Sequence, residues 1–399
     1  MNRPLPLAGI RVLDLSRLLP GPVCTLHLAD LGADVVKIED TGAGDYARTM
    51  GDLRGQGNGA MSDFFAMVNR NKRAISLDLK QAEGVAAFMR LAKTADVIVE
   101  SFRPGVMDKL GVGYDAVKAI NPKIVFCAIS GYGQTGPYRE LAGHDINYLG
   151  YAGVAEQIGA AGGPPTLLGF QIADLLGGAM TPAFAIMTAL FDAQRSGQGR
   201  FVDVAMTDAV LAHAVMPLIG VLADGKAPAR GADQLSGGIP AYNIYATKDS
   251  RHMAVGSLEP KFWQKTCEVL GLAYLAPHGW VYGEESAAVR ADVQAVFATK
   301  TQAEWTPIFA AADCCVTPIL PMEEAIENEQ IRAREMVVES DDPARGKLKQ
   351  FAPPFKLSEF NFAISRHAPA RGAHTEELLR EAGYTAAEIA SLRSVKAVQ

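Results

Sequence analysis

Two residues stand where acid–base chemistry could be done. His144 lies in the run Gly143-His144-Asp145-Ile146-Asn147-Tyr148, where Gly143 punctuates the chain and the following residues take helical spacing. A histidine at a helix start can act as a base while the free backbone N–H groups beside it meet a developing oxyanion. Capping or packing is the commoner use of such a histidine, so the residue alone leaves both roles open. Asp174 ends the apolar run Gly169-Phe170-Gln171-Ile172-Ala173 and is followed by Leu175-Leu176-Gly177-Gly178. Burial there raises a carboxylate's proton affinity and suits acid–base or nucleophilic work. The same aspartate would serve equally as the N-cap of the helix that follows.

Residues that could meet an anion lie elsewhere. Arg103, in Ser101-Phe102-Arg103-Pro104-Gly105, follows a strand end, where open α/β sheets bind ligands, and Lys109, Lys72 and Arg73 are candidates to support it. Each has the alternative of being a solvated surface cation, strongest for Lys72 and Arg73, which sit in a basic run. The loop Gly131-Tyr132-Gly133-Gln134-Thr135-Gly136-Pro137 lets the backbone approach a ligand closely, which makes Tyr132 and Gly133 binding candidates. Its glycines fit neither the dinucleotide nor the P-loop spacing. Leu18, in the turn after the first strand, is counted with these binding residues.

The elements that must position these groups read as alternating strands and helices. Strands are expected at residues 10–15, 35–39, 74–79, 97–101, 123–129 and 201–205, with helices at 24–31, 81–92 and 174–193. Strand–helix alternation of this kind builds a parallel, doubly wound sheet, so the first half is an α/β domain. A Gly/Ala/Asp-rich piece over 223–238 reads as a linker. Beyond it, residues 242–246 and 252–255 form a hairpin followed by helices, a smaller α+β domain. The expected division is 1–222 for the large domain, 239–335 for the small one, and 336–399 for a return of the chain to the large domain.

Composition narrows the function classes. The 399 residues are 49% hydrophobic and 21% charged, the make-up of a globular protein with ample core. Lys plus Arg total 38 against 44 for Asp plus Glu, a formal charge of −6, which argues against a nucleic-acid partner. The five cysteines show no metal or redox spacing and read as reduced cytosolic thiols, which places the protein in the cytoplasm. Residues 1–6 run into a strand pattern without the layout of a signal peptide. Asp, Gly or Pro interrupts the apolar runs well short of ~20 residues, so no membrane span is expected.

Taken in order, several motifs resemble the class III CoA-transferase superfamily, which includes α-methylacyl-CoA racemases. They are Leu-Ala-Asp-Leu-Gly-Ala-Asp-Val-Val-Lys-Ile-Glu at 28–39, Asp-Leu-Lys at 78–80, Arg-Pro-Gly-Val at 103–106, Gly-Tyr-Gly-Gln-Thr-Gly-Pro at 131–137 and Val-Asp-Val-Ala-Met at 202–206. The resemblance implies an interlocked, ring-like homodimer with coenzyme A on the large domain. It also implies an acyl-CoA substrate and no separate cofactor or metal, since coenzyme A is part of the substrate. Transferases of the superfamily use an aspartate at the position of Asp174 as a nucleophile and usually lack the histidine of the 143–148 motif. Racemases carry that motif, complete here, and pair the histidine with a glutamate in a segment matched by Gly256-Ser257-Leu258-Glu259-Pro260.

The racemase branch is therefore expected, inverting the 2-methyl centre of a 2-methylacyl-CoA in fatty acid metabolism. His144 and Asp174 would be the two bases, the Asp145 N–H an oxyanion donor, and Glu259 the acid that holds the His144 ring. Two other readings are CoA transfer between carboxylic acids through an aspartyl-CoA thioester on Asp174, and a catalytically silent CoA-binding subunit. The joint presence of His144, Asp174 and Glu259 argues against the silent one.

Overall fold

The computed structural model describes residues 3–399 and divides into two compact units. Met1 and Asn2, which open the N-terminal stretch read above, lie outside the described residues. Of the described residues, the first unit comprises 3–152, 170–213 and 332–399, and the second 153–169 and 214–331. Residues 153–169 thus fall in the second unit, where the sequence had suggested one unbroken large domain to 222. The helix Val154–Gln157 sends its following loop to Arg230: the guanidinium is bonded to the carbonyls of Glu156 and Gly163 and to the Glu156 carboxylate. Long-range side-chain bonds of this kind leave no trace in a local pattern.

The first unit is built on six parallel strands: β1 (Arg11–Leu15), β2 (Asp34–Glu39), β3 (Arg73–Ser76), β4 (Val97–Glu100), β5 (Val125–Ser130) and β6 (Phe201–Ala205). Their spatial order is β3-β2-β1-β4-β5-β6, the doubly wound arrangement, whose order reverses between β1 and β4. The register sets Leu13 between Val36 and Ile98. Both faces are covered, which is why the strands read as near-continuous apolar runs. On one face Leu13, Val36, Ile75, Ile98 and Phe126 pack with Phe88 and Leu91 of the helix Ala82–Ala92. Leu378, Leu379 and Leu392 from the C-terminal helices join the same core.

Two local readings are corrected. The helix after β1 begins at Pro20, inside what the sequence suggested was a turn, because proline's missing N–H costs nothing in a first helical turn. The expected helix over 174–193 starts at Ala173 as π-helical turns and continues as an α-helix to Ser196. Its 24 residues are long and apolar enough to cross a membrane, contrary to the expectation that Gly and Pro would interrupt every such run. Gly177 and Gly178 do not break it, since they are where it meets other chain. A Cβ on Gly177 would lie 2.9 Å from the Met206 carbonyl oxygen, and one on Gly178 2.3 Å from Pro20 Cβ.

The second unit holds a three-stranded antiparallel sheet, β7 (Tyr242–Ala246), β8 (His252–Gly256) and β9 (Val316–Pro318), in the order β9-β8-β7. The hairpin is where the sequence placed it, and β9 was not anticipated. Trp263, Phe297, Trp305 and Phe309 fill its core with Tyr245 and Met253.

Candidate active site

Loops leaving the carboxyl ends of β1, β4 and β5 surround a cavity of about 700 Å³ in the first unit. This is the switch point of the sheet, where neighbouring loops diverge and leave a crevice. Arg17, Leu18 and Pro20 come from the β1 loop, Ser101 to Pro104 from the β4 loop, and Ile129 to Tyr132 from the β5 end. His144, Asn147, Tyr148 and Asp174 complete the wall, so the two residues singled out for acid–base chemistry share one cavity.

His144 is the N-cap of the helix Asp145–Tyr151 and is exposed. Its own N–H donates to the Asn147 side-chain oxygen at 3.0 Å, and its carbonyl accepts the N–H of Asn147 at 2.8 Å. The backbone is thus fixed at the helix start, where His144 and Asn147 face each other in a capping box and the imidazole lines the cavity. Asp145 does not line the cavity. Its carboxylate accepts the N–H groups of Ala173 at 2.7 Å and Asp174 at 3.2 Å, tying the His144 helix to the start of the Asp174 helix. The alternative role suggested for Asp174, capping that helix, is therefore filled by Asp145. Burial pushes the Asp174 carboxyl up to about 6, with the Asp145 charge adding to the rise and His144 opposing it.

Of the expected binding residues, Leu18, Arg103 and Tyr132 line the cavity. Leu18 adopts φ +64° and its N–H donates to Asp45 at 3.0 Å. Gly133, buried at φ +88°, shapes the loop from behind the wall, its N–H bonded to Ser130 Oγ. Lys109 is exposed at the end of the turn Val106–Lys109 and is not on the wall.

Lys72 and Arg73 are not surface cations and do not reach the cavity. Lys72 is completely buried, with its ammonium bonded to Asp14, Asn69 and the Pro22 carbonyl. Arg73 is clasped by Asp34, Glu377 and Glu381. A basic run on a strand reads as solvated unless the partner acids, up to 308 positions away, are known. Glu259 belongs to the second unit, exposed as the N-cap of the helix Pro260–Leu270. Met216, Tyr242 and Met253, apolar residues of the kind that can line an acyl pocket but more often form plain core, also belong to that unit, and Met253 is fully buried.

The sequence reading missed Arg17, Arg139, Asn147 and Tyr148 on the wall. Arg17 is paired with Asp40 at 2.9 Å, and its guanidinium lies 5.4 Å from the ring centres of both Tyr46 and Phe102. The argument that found Arg103, a cation just past a strand end, applies equally to Arg17 past β1. Glu100 was missed too: it is 4% exposed at the end of β4 and accepts the Phe102 N–H at 2.7 Å, holding the turn that presents Arg103. With Arg17, Arg103 and Arg139 around it, the cavity suits an anionic ligand. Among the described residues no cluster could hold a metal ion.

The family model described as CoA-transferase family III matches residues 7–375. The chain belongs to CoA-transferase family III. Within it, the chain is 35% identical over 396 residues to the α-methylacyl-CoA racemase of Homo sapiens, covering 99% of this chain and 98% of that one. It is 32% identical over 390 residues to the succinyl-CoA:glutarate CoA-transferase of the same species, covering 96% and 87%. Among solved structures, a CAIB/BAIF family protein from Brucella suis superposes with a TM-score of 0.82 at 28% identity, covering 95% of this chain and all of that one. Both reaction types thus occur among relatives of similar closeness, and the cavity must be read for itself.

Proposed function

We propose that this family III protein inverts the 2-methyl centre of a 2-methylacyl-CoA by moving the C2 proton. The observation that carries the reading is that His144 and Asp174 stand on the wall of one cavity. Two acid–base groups on one cavity can take a proton from one face of an enolate and return one to the other. Asp174, raised to about 6, is a stronger base than an ordinary carboxylate and still ionised at pH 7. The N–H of Asp145, in the first turn of its helix and without an intrahelical acceptor, is assigned as the donor to the enolate oxygen. Arg103 and Arg17 take the phosphates of coenzyme A, and no cofactor beyond the substrate is required. Glu259 is assigned to orient the His144 ring, from this chain or from a second copy.

A homodimer is part of the proposal. Along the helix Thr181–Ser196, Phe184 is 75% and Phe191 61% exposed, an apolar face of a kind that a second copy would cover.

The test is incubation of one 2-methylacyl-CoA epimer in deuterated water, with and without an acceptor acid. Deuterium at C2 and loss of optical purity without acceptor are expected. No exchange, with CoA passed to an added carboxylate and a covalent adduct on Asp174, overturns the reading in favour of transfer.

A further inference from the structure

Tyr148 belongs to the same short motif as His144 and is given no part in the proton transfer above, yet it is among the most constrained side chains at the cavity. It is 6% exposed. Its hydroxyl donates to the carbonyl of Gly143, the residue just before His144, at 2.5 Å. Its ring fills space that exists only because two neighbours lack a side chain. A Cβ on Gly131 would stand 2.2 Å from Tyr148 Cε1, and one on Gly143 2.7 Å from the same atom. The opposite side of that slot is fixed, because the Gly131 carbonyl accepts both the N–H and the hydroxyl of Thr207, at 3.0 and 2.8 Å. Tyr132 meets the ring edge to face, with centroids 5.3 Å apart.

We infer that Tyr148 is a positioning residue for His144: its hydroxyl and ring pin the Gly143–His144 peptide against the β5 loop, so that the imidazole is carried on a fixed backbone at the cavity wall. The Asn147 side chain secures the next link by accepting the His144 N–H at 3.0 Å. The motif from 143 to 148 then divides its labour in chemical terms. Gly143 makes room, His144 is the base, Asp145 ties down the Asp174 helix, and Asn147 and Tyr148 hold the base's backbone from both sides. Burial, joined by the nearby Asp174, Tyr132 and Asp145, pushes the Tyr148 hydroxyl up to about 12, so it stays a neutral donor wherever a histidine base works. Displacement of a reacting group by ~1 Å costs about 100-fold in rate, which sets the scale of the effect.

This inference rests on the proton-transfer reading, and its test has an arm that does not. Tyr148→Phe keeps the ring and removes only the hydroxyl. Its kcat for C2 deuterium exchange is expected to fall about 10- to 100-fold, with KM and the calorimetric affinity for CoA within about twofold of wild type. Tyr138→Phe, in the same ring cluster but off the cavity wall, leaves all three unchanged. Unchanged kcat in Tyr148→Phe, or a parallel loss of kcat and CoA affinity, overturns the assignment.

The second arm reads the imidazole directly, in full-length dimer or monomer as the protein occurs. In nitrogen-15 spectra of the seven histidines, His144 alone is expected to shift and broaden in Tyr148→Phe. If wild type shows no exchange, the racemase reading fails while this arm still decides the positioning role. A His144 resonance that does not move removes it.

Discussion

Beneath the loop from Ser16 to Pro22, Asp14, Lys37, Asp45 and Lys72 are each 0–1% exposed and each is matched by a partner. Lys37 bonds Asp45 and the Ser16 carbonyl at 2.6 Å each, and Asp14 takes the ammonium of Lys72 and the hydroxyls of Ser16 and Thr25. At the cavity the opposite holds: among the described residues the His144 ring and the Asp174 carboxylate, both on the wall, are left without an ion pair. Asp14 and Lys37, like the loops that form the cavity, lie toward the carboxyl ends of their strands. The difference is that a buried charge must be paired or it destabilises the fold, whereas a reacting group must be left unpaired to be available. Even in the matched network burial draws the Lys72 ammonium down to about 8, against the pull of Asp14. The paired set holds the Leu18 turn still through Asp45; the unpaired set has its backbone held instead, by Asp145, Asn147 and Tyr148.

The largest expected effect breaks the paired side. Lys72→Met strands Asp14 with one cation fewer in a dry interior and should cost about 3–5 kcal/mol in denaturant unfolding. A loss under about 1 kcal/mol would mean that the network is not what secures the β1 loop.

On the unpaired side the sign reverses. Asp174 binds its proton up to about pH 6 in the fold, against a usual value of 3.8. Between those values the unfolded chain ionises while the fold keeps its proton, so wild-type stability falls as pH rises from about 4 to 6 and stays lower above. Asp174→Asn removes that loss. It should be more stable than wild type at pH 7 by up to about 3 kcal/mol, with the gain vanishing near pH 3.5, while the reaction is abolished. Equal melting temperatures at pH 7 would show that the carboxylate is solvated rather than strained.

The third comparison sets two arginines against each other. Among the described residues Arg103 forms no side-chain ion pair, and it lines the cavity, so Arg103→Ala should weaken CoA binding by about 1.5–3 kcal/mol with little change in unfolding. Arg73→Met should do the reverse, leaving calorimetric CoA affinity intact and lowering stability by about 1 kcal/mol. If Arg73→Met weakens CoA binding directly, its removal from the site was mistaken.

Local order was legible in the sequence to the extent that it is set by neighbours. The strand–helix alternation, the hairpin Tyr242–Ala246 with His252–Gly256, and the helix start at His144 all follow from periodicity and glycine punctuation within a few residues. So did the pairing of Arg103 with a strand end. The residues His144 and Asp174 were chosen from their types and flanks, and the 143–148 motif carried the resemblance to the family. What those flanks could not contain was distance. That Lys72 meets Asp14, Arg73 meets Glu377, and the Asp145 carboxylate rather than Asp174 caps the helix at Ala173 depends on which segments the sheet order brings together. Only the tertiary structure decided which charges are spent on the fold and which are left for chemistry, because pairing is a property of groups close in space and far apart in the chain.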